Sequence, residues 1–236
     1  MDNLTVAERI LLQARGELPR LLFVIAGPSG VGKNTIIKEL LASYPDQMDR
    51  IRTYTTRQKR DNEVDGEQYH FVTKEQFERL HEEGKLLEDF HDVYGLDEWY
   101  SMPADLYQDI APGRHLVIAE VDVVGAERLR KAVPGCITIF VTAPPMDLIK
   151  RIIERPDEGM TEQNLKSRMD TARKQIGAAS EFDYLIFNEE NHLCRTVAEL
   201  RTIIEAERMR VRPGVDLEKT IPSDAFDGPG GELAAS

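Results

Sequence analysis

Residues 27–35, GPSGVGKNT, form the first candidate site, because their types and spacing suit the binding of nucleotide phosphates. The glycines allow a tight turn after the apolar run that ends at Ala26, and a helix is predicted to follow. Backbone N–H groups, the helix N-terminus and the Lys33 ammonium would then point at one anion. An ordinary strand-to-helix turn, with glycines for steric reasons, is the alternative. We predict an ATP site, named the phosphate loop, made of Gly27, Pro28, Ser29, Gly30, Val31, Gly32, Lys33, Asn34 and Thr35.

Asn34 is unusual in this loop, which ordinarily ends in a serine or threonine hydroxyl that binds magnesium. Its amide oxygen is an acceptor of similar reach, and hard cations bind amide oxygens. Mg2+ is often held mainly by phosphate oxygens and water, so we expect the change to be modest. The sequence therefore predicts an ATP site that uses Mg2+, with Asn34 as a ligand.

The second candidate site lies in residues 53–71, TYTTRQKRDNEVDGEQYHF. Arg57 and Arg60 offer two planar forks for a phosphate, Glu63 can hold one of them, and Tyr69 can donate a hydroxyl. We name these four residues the arginine clamp. The basic run 51–60, IRTYTTRQKR, stands out in a chain with a net charge of -12. A solvated basic loop is the alternative.

Four short runs are apolar on both alternating faces, which predicts strands covered by helices on either side. They are LLFVIA from Leu21, HLVIAEV from His115, CITIFV from Cys136 and DYLIFN from Asp183. Helical stretches come between and after them: TIIKELLASY, VVGAERLRKAV, PMDLIKRIIER and TVAELRTIIEAERMR. Strands that alternate with helices predict an α/β fold with a parallel sheet.

Two segments depart from this alternation. From about Thr53 to His91, the runs EQYHFV and KLLEDFH flank a helix with capping-box spacing at Thr73 and Gln76, which predicts a small α+β lobe. From Glu154, the polar stretch ERPDEGMTEQNLKSRMDTARKQ predicts a mobile helical flap. Residues 1–20 are expected to form an extra helix, and the tail after Arg212, rich in Pro, Gly and acids, is expected to be disordered.

Composition excludes several classes of function. The acidic balance argues against a nucleic-acid binder, because counterion release from a phosphate polymer needs a basic face. Cys136 and Cys194 suggest neither a disulfide framework nor a zinc site. No stretch reads as a signal peptide or a membrane span, so we expect a cytoplasmic protein without a membrane partner.

Several ordered motifs resemble those of the guanylate kinase family, the nucleoside monophosphate kinases that make GDP from GMP. The resemblance covers about residues 20–210, with the lobe at about 53–103, a lid at about 154–176 and the tail at 211–236. It implies a P-loop kinase core, a parallel sheet covered by helices, with the small lobe and a helical lid. The motifs are Thr53, TTR ending at Arg57, Arg60, EVDG from Glu63, Tyr69 with Phe71, EVDVVG from Glu120, and SEFDYLIFNE.

The resemblance implies a role for each matched residue. Arg57, Arg60 and Tyr69 would bind the GMP phosphate, supported by Glu63, while Thr53 and Glu88 would face the guanine. A carboxylate at Glu88 can accept from both N1–H and the 2-amino group of guanine, whereas adenine presents an acceptor at N1. By the same resemblance, Asp122 lies near the GMP pocket, Glu120 reaches Mg2+ through water, and Asn188 belongs to the ATP site. A structural pairing of these acids with Lys33 is the alternative.

Two stretches depart from the family pattern. The loop DVYGLDEWYSMP is about three residues longer than usual, so Tyr100 is expected to bind the GMP phosphate, with Tyr94 as its competitor. Ser101 is expected to supply the hydroxyl for guanine, since Met102 stands at the usual hydroxyl position. The flap keeps arginines but loses glycines. Its arginines are spaced like those that close over the transferring phosphate, so the predicted catalytic set is Lys33, Arg57, Arg151, Arg155 and Arg168.

The predicted reaction is phosphoryl transfer from ATP to GMP, and to dGMP, without a general base. Two alternatives stay open. One is a kinase of another nucleotide or small phosphate on the same fold. The other is a non-catalytic module of this fold that binds a phosphopeptide, although such modules typically lose the phosphate loop.

Overall fold

The computed structural model describes residues 20–61, 63–87, 91–92, 97–154 and 162–210. The strands, in chain order, are β1 (Leu21–Ala26), β2 (Met48–Arg50), β3 (Thr53–Thr55), β4 (Tyr69–Phe71), β5 (His91–Asp92), β6 (Trp99–Ser101), β7 (Leu116–Glu120), β8 (Ile137–Thr142) and β9 (Tyr184–Phe187). The helices are α1 (Lys33–Ser43), α2 (Lys74–Glu82), α3 (Val123–Ala132), α4 (Pro145–Ile153), α5 (Glu162–Gly177) and α6 (Leu193–Met209).

A five-stranded parallel sheet forms the centre of the fold, in the order β2-β7-β1-β8-β9. Every residue of β1 and β8 is buried, because helices cover both faces of these inner strands. The four apolar runs of the sequence correspond to β1, β7, β8 and β9, which confirms the predicted α/β fold. Strand β2 was not predicted, since its three residues, MDR, are mostly charged.

The small lobe is built on a second sheet, in the order β4-β3-β6-β5. Strand β3 runs parallel to β4 and antiparallel to β6. The predicted capping box begins α2: the Thr73 hydroxyl accepts from the N–H of Gln76, and the Gln76 side chain accepts from the N–H of Thr73. The α+β composition predicted for this stretch is confirmed.

The strand predicted in KLLEDFH is only partly within the described residues. Leu86 makes a single bridge to Pro103, and β5 begins at His91. Residues 88–90 lie outside the described part of the chain, as do residues 1–19, 155–161 and 211–236. Helix α5 provides the helix predicted for the flap, and the mobility of the flap stays a prediction.

Two units make up the chain: Arg20–Thr202, and Met1–Pro19 together with Ile203–Ser236. The first unit contains both sheets. In the second unit the described part is residues 203–210, in which Arg208 pairs with Glu205 and Arg210 with Glu207. The domain boundaries predicted from the sequence stay predictions.

A hydrophobic core lies between the central sheet and the segment that returns from the small lobe. Leu22, Val24 and Ala26 of β1 pack there with Val117 and Ala119 of β7, and Met102, Leu106 and Ile110 cover them. This packing fixes the end of β6 against the core, so the two sheets are held by one apolar cluster. Among the described helices, none is both long enough and apolar enough to cross a membrane.

Candidate active site

The phosphate loop joins β1 to α1 at the carboxyl edge of the central sheet. Gly27, Gly30 and Gly32 have φ values of 150°, 83° and 92°, which favour glycine. A Cβ on Gly27 would lie 1.9 Å from the carbonyl oxygen of Val141, so the loop passes too close to β8 for any side chain. The glycines of the motif are therefore required by the backbone path of the loop.

Lys33, the first residue of α1, folds back over this loop. Its ammonium donates to the carbonyl oxygens of Gly27 at 2.8 Å and Pro28 at 3.1 Å. The cation therefore lies against the turn, at the helix N-terminus where an anion is favoured. The side chains of Asn34 and Thr35, one and two residues further on, are exposed.

Asn188 supports the phosphate loop from the end of β9. Its side-chain nitrogen donates to the carbonyl oxygen of Val31 at 2.7 Å, and its oxygen accepts from the Thr196 hydroxyl at 3.1 Å. Arg151 of α4 reaches the same carbonyl oxygen of Val31 at 3.4 Å. The structure therefore places Asn188 and Arg151 beside the loop, and the direct contact of Asn188 with ATP stays a prediction.

Glu63 organises the two arginines of the arginine clamp. One of its oxygens, Oε1, accepts from Arg57 at 2.8 Å and lies 3.6 Å from an Arg60 nitrogen; Oε2 accepts from the backbone N–H of Arg60 at 3.0 Å. The side chains of Arg57 and Glu63 are only 9% and 6% exposed, whereas Arg60 is 33% exposed. Three groups converge on one carboxylate, so the loop after β3 holds both forks in fixed positions.

Burial and hydrogen bonding have opposite effects on the pKa values of Arg57 and Glu63 in this cluster. Burial alone would lower the pKa of Arg57, but the hydrogen bond to Glu63 and the neighbouring Tyr100 raise it above its usual value. Burial alone would raise the pKa of Glu63, but hydrogen bonds from Arg57 and from the N–H of Arg60 lower it below 4.5. Both groups are therefore charged at neutral pH.

Aromatic side chains surround the Arg57 guanidinium. Its central carbon lies 5.5 Å from the ring centroid of Tyr69 and 5.4 Å from that of Phe71. The rings of Tyr69 and Tyr100 meet edge to face, with centroids 6.5 Å apart. Burial, and to a lesser degree the charge of Glu120, raise the pKa of Tyr69, so its hydroxyl keeps its proton and is able to donate. The structure thus brings Arg57, Arg60, Glu63, Tyr69 and Tyr100 together.

The residues predicted to face guanine lie in different surroundings in the structure. Thr53 is buried on β3, opposite Tyr69 of β4. Ser101 is buried on β6 and donates to the carbonyl oxygen of Met102 at 3.3 Å. The expectation that Met102 lies beside guanine is wrong, because its side chain is 1% exposed and belongs to the hydrophobic core.

The two acids at the end of β7 have partners in the protein. Glu120 pairs with Arg50 at 3.2 Å, and its neighbour in the sheet is Ile25 of β1, just before the phosphate loop. The ion-pair partner of Glu120 in this structure is thus Arg50, while Lys33 donates to carbonyl oxygens of the phosphate loop. Asp122 is the N-cap of α3 and accepts from the N–H of Gly125 at 2.7 Å. Its predicted contact with GMP stays a prediction.

Three residues of interest fall outside the described part of the chain: Glu88, Tyr94 and Arg155. Arg168 lies on α5 and is half-buried. Among the described residues, no group of three His, Cys, Asp or Glu side chains is arranged to hold a metal ion. The Mg2+ expected with ATP stays a prediction.

Sequence reasoning missed the structural role of two arginines, one in the basic run 51–60 and one just before it. Arg50 was not considered, because its strand was not predicted and its partner, Glu120, lies 70 residues further along the chain. Arg52 was treated only as part of the basic run. In the structure it donates to the carbonyl oxygens of Gly66, Arg50 and Asp109 and to the carboxylate of Asp49. Its contacts assign it to the framework of the site.

Comparisons with known proteins show which family this chain is similar to. The sequence profile of the guanylate kinase family matches residues 20–207. A guanylate kinase of Symbiobacterium thermophilum is 39% identical over 203 residues, which span 85% of this chain and 92% of that protein. A guanylate kinase of Clostridioides difficile is 35% identical over 192 residues, which span 81% of this chain and 90% of that protein. The crystal structure of a guanylate kinase from Anaplasma phagocytophilum is similar in fold, with a TM-score of 0.64 and 22% sequence identity. The match covers 86% of this chain and 94% of that chain.

Proposed function

Because the chain belongs to the guanylate kinase family and is an ATP-dependent GMP phosphotransferase, we propose that the phosphate loop and the arginine clamp hold its two substrates. The observation that carries this assignment is the presence of two separate cationic sites, one at the carboxyl edge of the central parallel sheet and one after β3 in the small lobe. One has the form of a site for a polyphosphate, the other of a site for a monophosphate.

The phosphate loop binds the phosphates of ATP. When the nucleotide enters, the Lys33 ammonium exchanges the carbonyl oxygens of Gly27 and Pro28 for phosphate oxygens. Asn188 and Arg151 hold the loop through Val31, so the N–H groups keep their directions during this exchange. Arg151, together with Arg155 and Arg168 of the lid, then places positive charge around the transferring group.

The arginine clamp binds the phosphate of GMP. Arg57 and Arg60 present their donors to its oxygens, Glu63 keeps both guanidinium groups in place, and Tyr69 and Tyr100 add hydroxyl donors. Thr53, Ser101 and Glu88 read the guanine, and Asp122 borders the pocket. The acceptor is GMP or dGMP, because these contacts are directed at the base and the phosphate.

Phosphoryl transfer at this site is achieved by positioning and charge. An oxygen of the bound monophosphate is already ionised and attacks the γ-phosphorus of ATP in line, while the bond from this phosphorus to the β–γ bridging oxygen breaks and ADP leaves, so no general base is needed. Asn34 and, through water, Glu120 would hold Mg2+, which would supply positive charge next to the phosphates of ATP. Closure of the lid excludes water, which would otherwise accept the phosphoryl group.

A panel of acceptors tests the substrate assignment. Turnover is measured with GMP, dGMP, AMP, UMP and CMP side by side, with and without Mg2+. We expect GMP and dGMP to be the best substrates and Mg2+ to be required. A higher kcat/KM with any acceptor that lacks guanine would favour a kinase of another nucleotide.

We place the reaction in guanine nucleotide metabolism in the cytoplasm. Both described cysteines are free thiols, as expected in a reducing compartment.

A further inference from the structure

An ion pair joins the two strands that lead to the substrate sites. Arg50 is the last residue of β2 and Glu120 is the last residue of β7; the guanidinium and the carboxylate approach to 3.2 Å. Their side chains are 8% and 9% exposed. The pair therefore lies inside the protein, at the carboxyl edge of the central sheet.

Stability alone does not explain a buried pair of this kind. Removing two charges from water costs as much free energy as their attraction returns, so a well-packed apolar pair would serve the fold equally well. The Nε of Arg50 is also buried and has no hydrogen-bond partner among the described residues. A donor left without an acceptor adds to the cost of keeping Arg50 at this position.

The position of the pair connects it to both substrate sites. Glu120 is the sheet neighbour of Ile25, two residues before the phosphate loop begins at Gly27. Three residues after Arg50 the chain enters β3, where Thr53 lies opposite Tyr69 of the arginine clamp. The charges of Glu120 and Arg50 also act on the Tyr69 hydroxyl in opposite directions. One carboxylate is thus within electrostatic reach of the clamp and adjacent to the strand that carries the phosphate loop.

We propose that Arg50 is a positioning residue for phosphoryl transfer, which holds the Glu120 carboxylate in place and neutralises it between the two phosphate-binding sites. This inference rests on the proposed roles of the phosphate loop and the arginine clamp. Without Arg50, a bare buried carboxylate would repel both anionic substrates and would compete with their phosphates for the cations of the site. Arg50 acts through Glu120 and needs no contact with either nucleotide.

The test replaces Arg50 while the rest of the site is kept. In Arg50→Met, we expect the KM of both nucleotides to rise about tenfold and kcat to fall about 10- to 100-fold, because charge and geometry at the site are both disturbed. Calorimetry with ADP and with GMP, which does not depend on turnover, should show a similar loss of affinity. Arg50→Lys should restore most of the affinity, because the pair is joined by one contact that a point charge can replace.

A second substitution separates neutralisation from packing. Glu120→Gln in the parent protein should lower kcat, because it removes the carboxylate that is proposed to reach Mg2+ through water. In the Arg50→Met background, the same change should improve nucleotide binding, because it removes the bare carboxylate. This reversal of sign would not arise if Arg50 served only to pack the fold. Should Arg50→Met fail to fold, Arg50→Gln keeps a donor for Glu120 without the charge and replaces it in the cycle.

Arg114 provides the matched control. It donates to the carbonyl oxygen of Met48 at 2.7 Å and so also touches β2, but at the amino end of the sheet, away from both sites. Arg114→Met is expected to lower the melting temperature without changing the KM of either nucleotide. Equal nucleotide KM values in Arg50→Met and Arg114→Met would overturn the proposal. A fully active Lys33→Met variant would instead contradict the phosphate site, so the two failures are distinguishable.

Discussion

Glu63 is the residue on which the clamp for the second substrate depends. Its carboxylate receives the Arg57 side chain, the Arg60 backbone and, at longer distance, the Arg60 side chain. Its backbone carbonyl also accepts from Lys59. A single acid therefore holds two guanidinium groups of a basic loop in defined orientations, which explains why an acid belongs in this run.

Replacing Glu63 by Gln should weaken the binding of GMP but not of ATP. The amide removes the charge that holds both guanidinium groups, so we expect the KM of GMP to rise about tenfold, the equivalent of one charge-assisted hydrogen bond. The KM of ATP should change little. Glu67→Gln, an exposed change in the same loop, is the control. Equal GMP KM values in the two variants would contradict the role of Glu63.

The pKa of Glu63 also predicts how stability depends on pH. Because the folded carboxyl has a pKa below its ordinary value of 4.5, the folded state binds fewer protons than the unfolded state in that range. Its contribution to the free energy of unfolding is therefore full above pH 4.5 and is lost as the pH falls through the folded pKa. Chemical unfolding at neutral and acidic pH should show the difference between parent and Glu63→Gln shrinking towards acid. A constant difference would exclude this linkage.

Between elements, Asn188 connects the end of β9 to the phosphate loop. A family resemblance suggested contact with ATP, whereas the structure shows both ends of its amide engaged with Val31 and Thr196. Asn188→Ala should raise the KM of ATP about tenfold, since Val31 loses a buried hydrogen bond worth about 1–3 kcal/mol. If Asn188 acts through the loop, ATP and GTP as donors should be affected equally. A loss confined to ATP would indicate direct contact with adenine, and exposed Glu190→Gln is the control.

Arg52 fixes the junction between the central sheet and the small lobe. Its four acceptors belong to β2, to the loop before β4 and to the segment before β7. Arg52→Met should lower the free energy of unfolding by about 2–4 kcal/mol, because three carbonyl groups and a carboxylate, all in partly buried hydrogen bonds, lose their donor together. Exposed Arg195 makes one pair with Glu199, so Arg195→Met should cost less than about 1 kcal/mol. Equal costs in urea unfolding would show that Arg52 is not a framework residue.

The central sheet was predictable because its strands are long enough for their apolar pattern to identify them. The runs from Leu21 and Cys136 are buried on both faces, and among the described elements no other gives such a pattern at that length. Strand β2 has three residues and carries Asp49 and Arg50, so its place in the sheet depends on partners distant in the chain. Short edge strands are set by tertiary pairing rather than by local sequence.

The site was predictable to the extent that one segment contains it. The glycine spacing identified the phosphate loop, and the arginines with Glu63 lie within one run. The ion pair of Arg50 with Glu120 joins residues that are far apart in the chain. The burial of Met102 in the core depends on a change of register in a loop. Matching Trp99 and Tyr100 to the aromatic residues of the family pattern placed Met102 beside guanine, but a loop can lengthen without preserving the alignment of its side chains. Only the packing of Met102 against Leu22 and Ile51 decides its position.

At the scale of the whole molecule, an acidic protein binds two anionic substrates. The net charge of -12 repels nucleotides at long range, while Lys33, Arg57 and Arg60 attract them at short range. The same net charge opposes the folded state through self-repulsion. Salt screens the attraction between the partly exposed clamp and its substrate as well as the self-repulsion of the fold, so substrate binding should weaken while stability rises with ionic strength.

Raising KCl from about 0.1 M to about 1 M shortens the Debye length from about 10 Å to about 3 Å. Over this range the melting temperature should rise, because repulsion among the acidic groups weakens. The KM of GMP should also rise, because the clamp attracts the phosphate less, and Arg60, at 33% exposure, is the arginine most open to screening. Arg60→Gln should therefore show a higher GMP KM at low salt but a smaller salt dependence than the parent. Parallel salt dependences in the two proteins would mean that Arg60 does not face the phosphate of GMP.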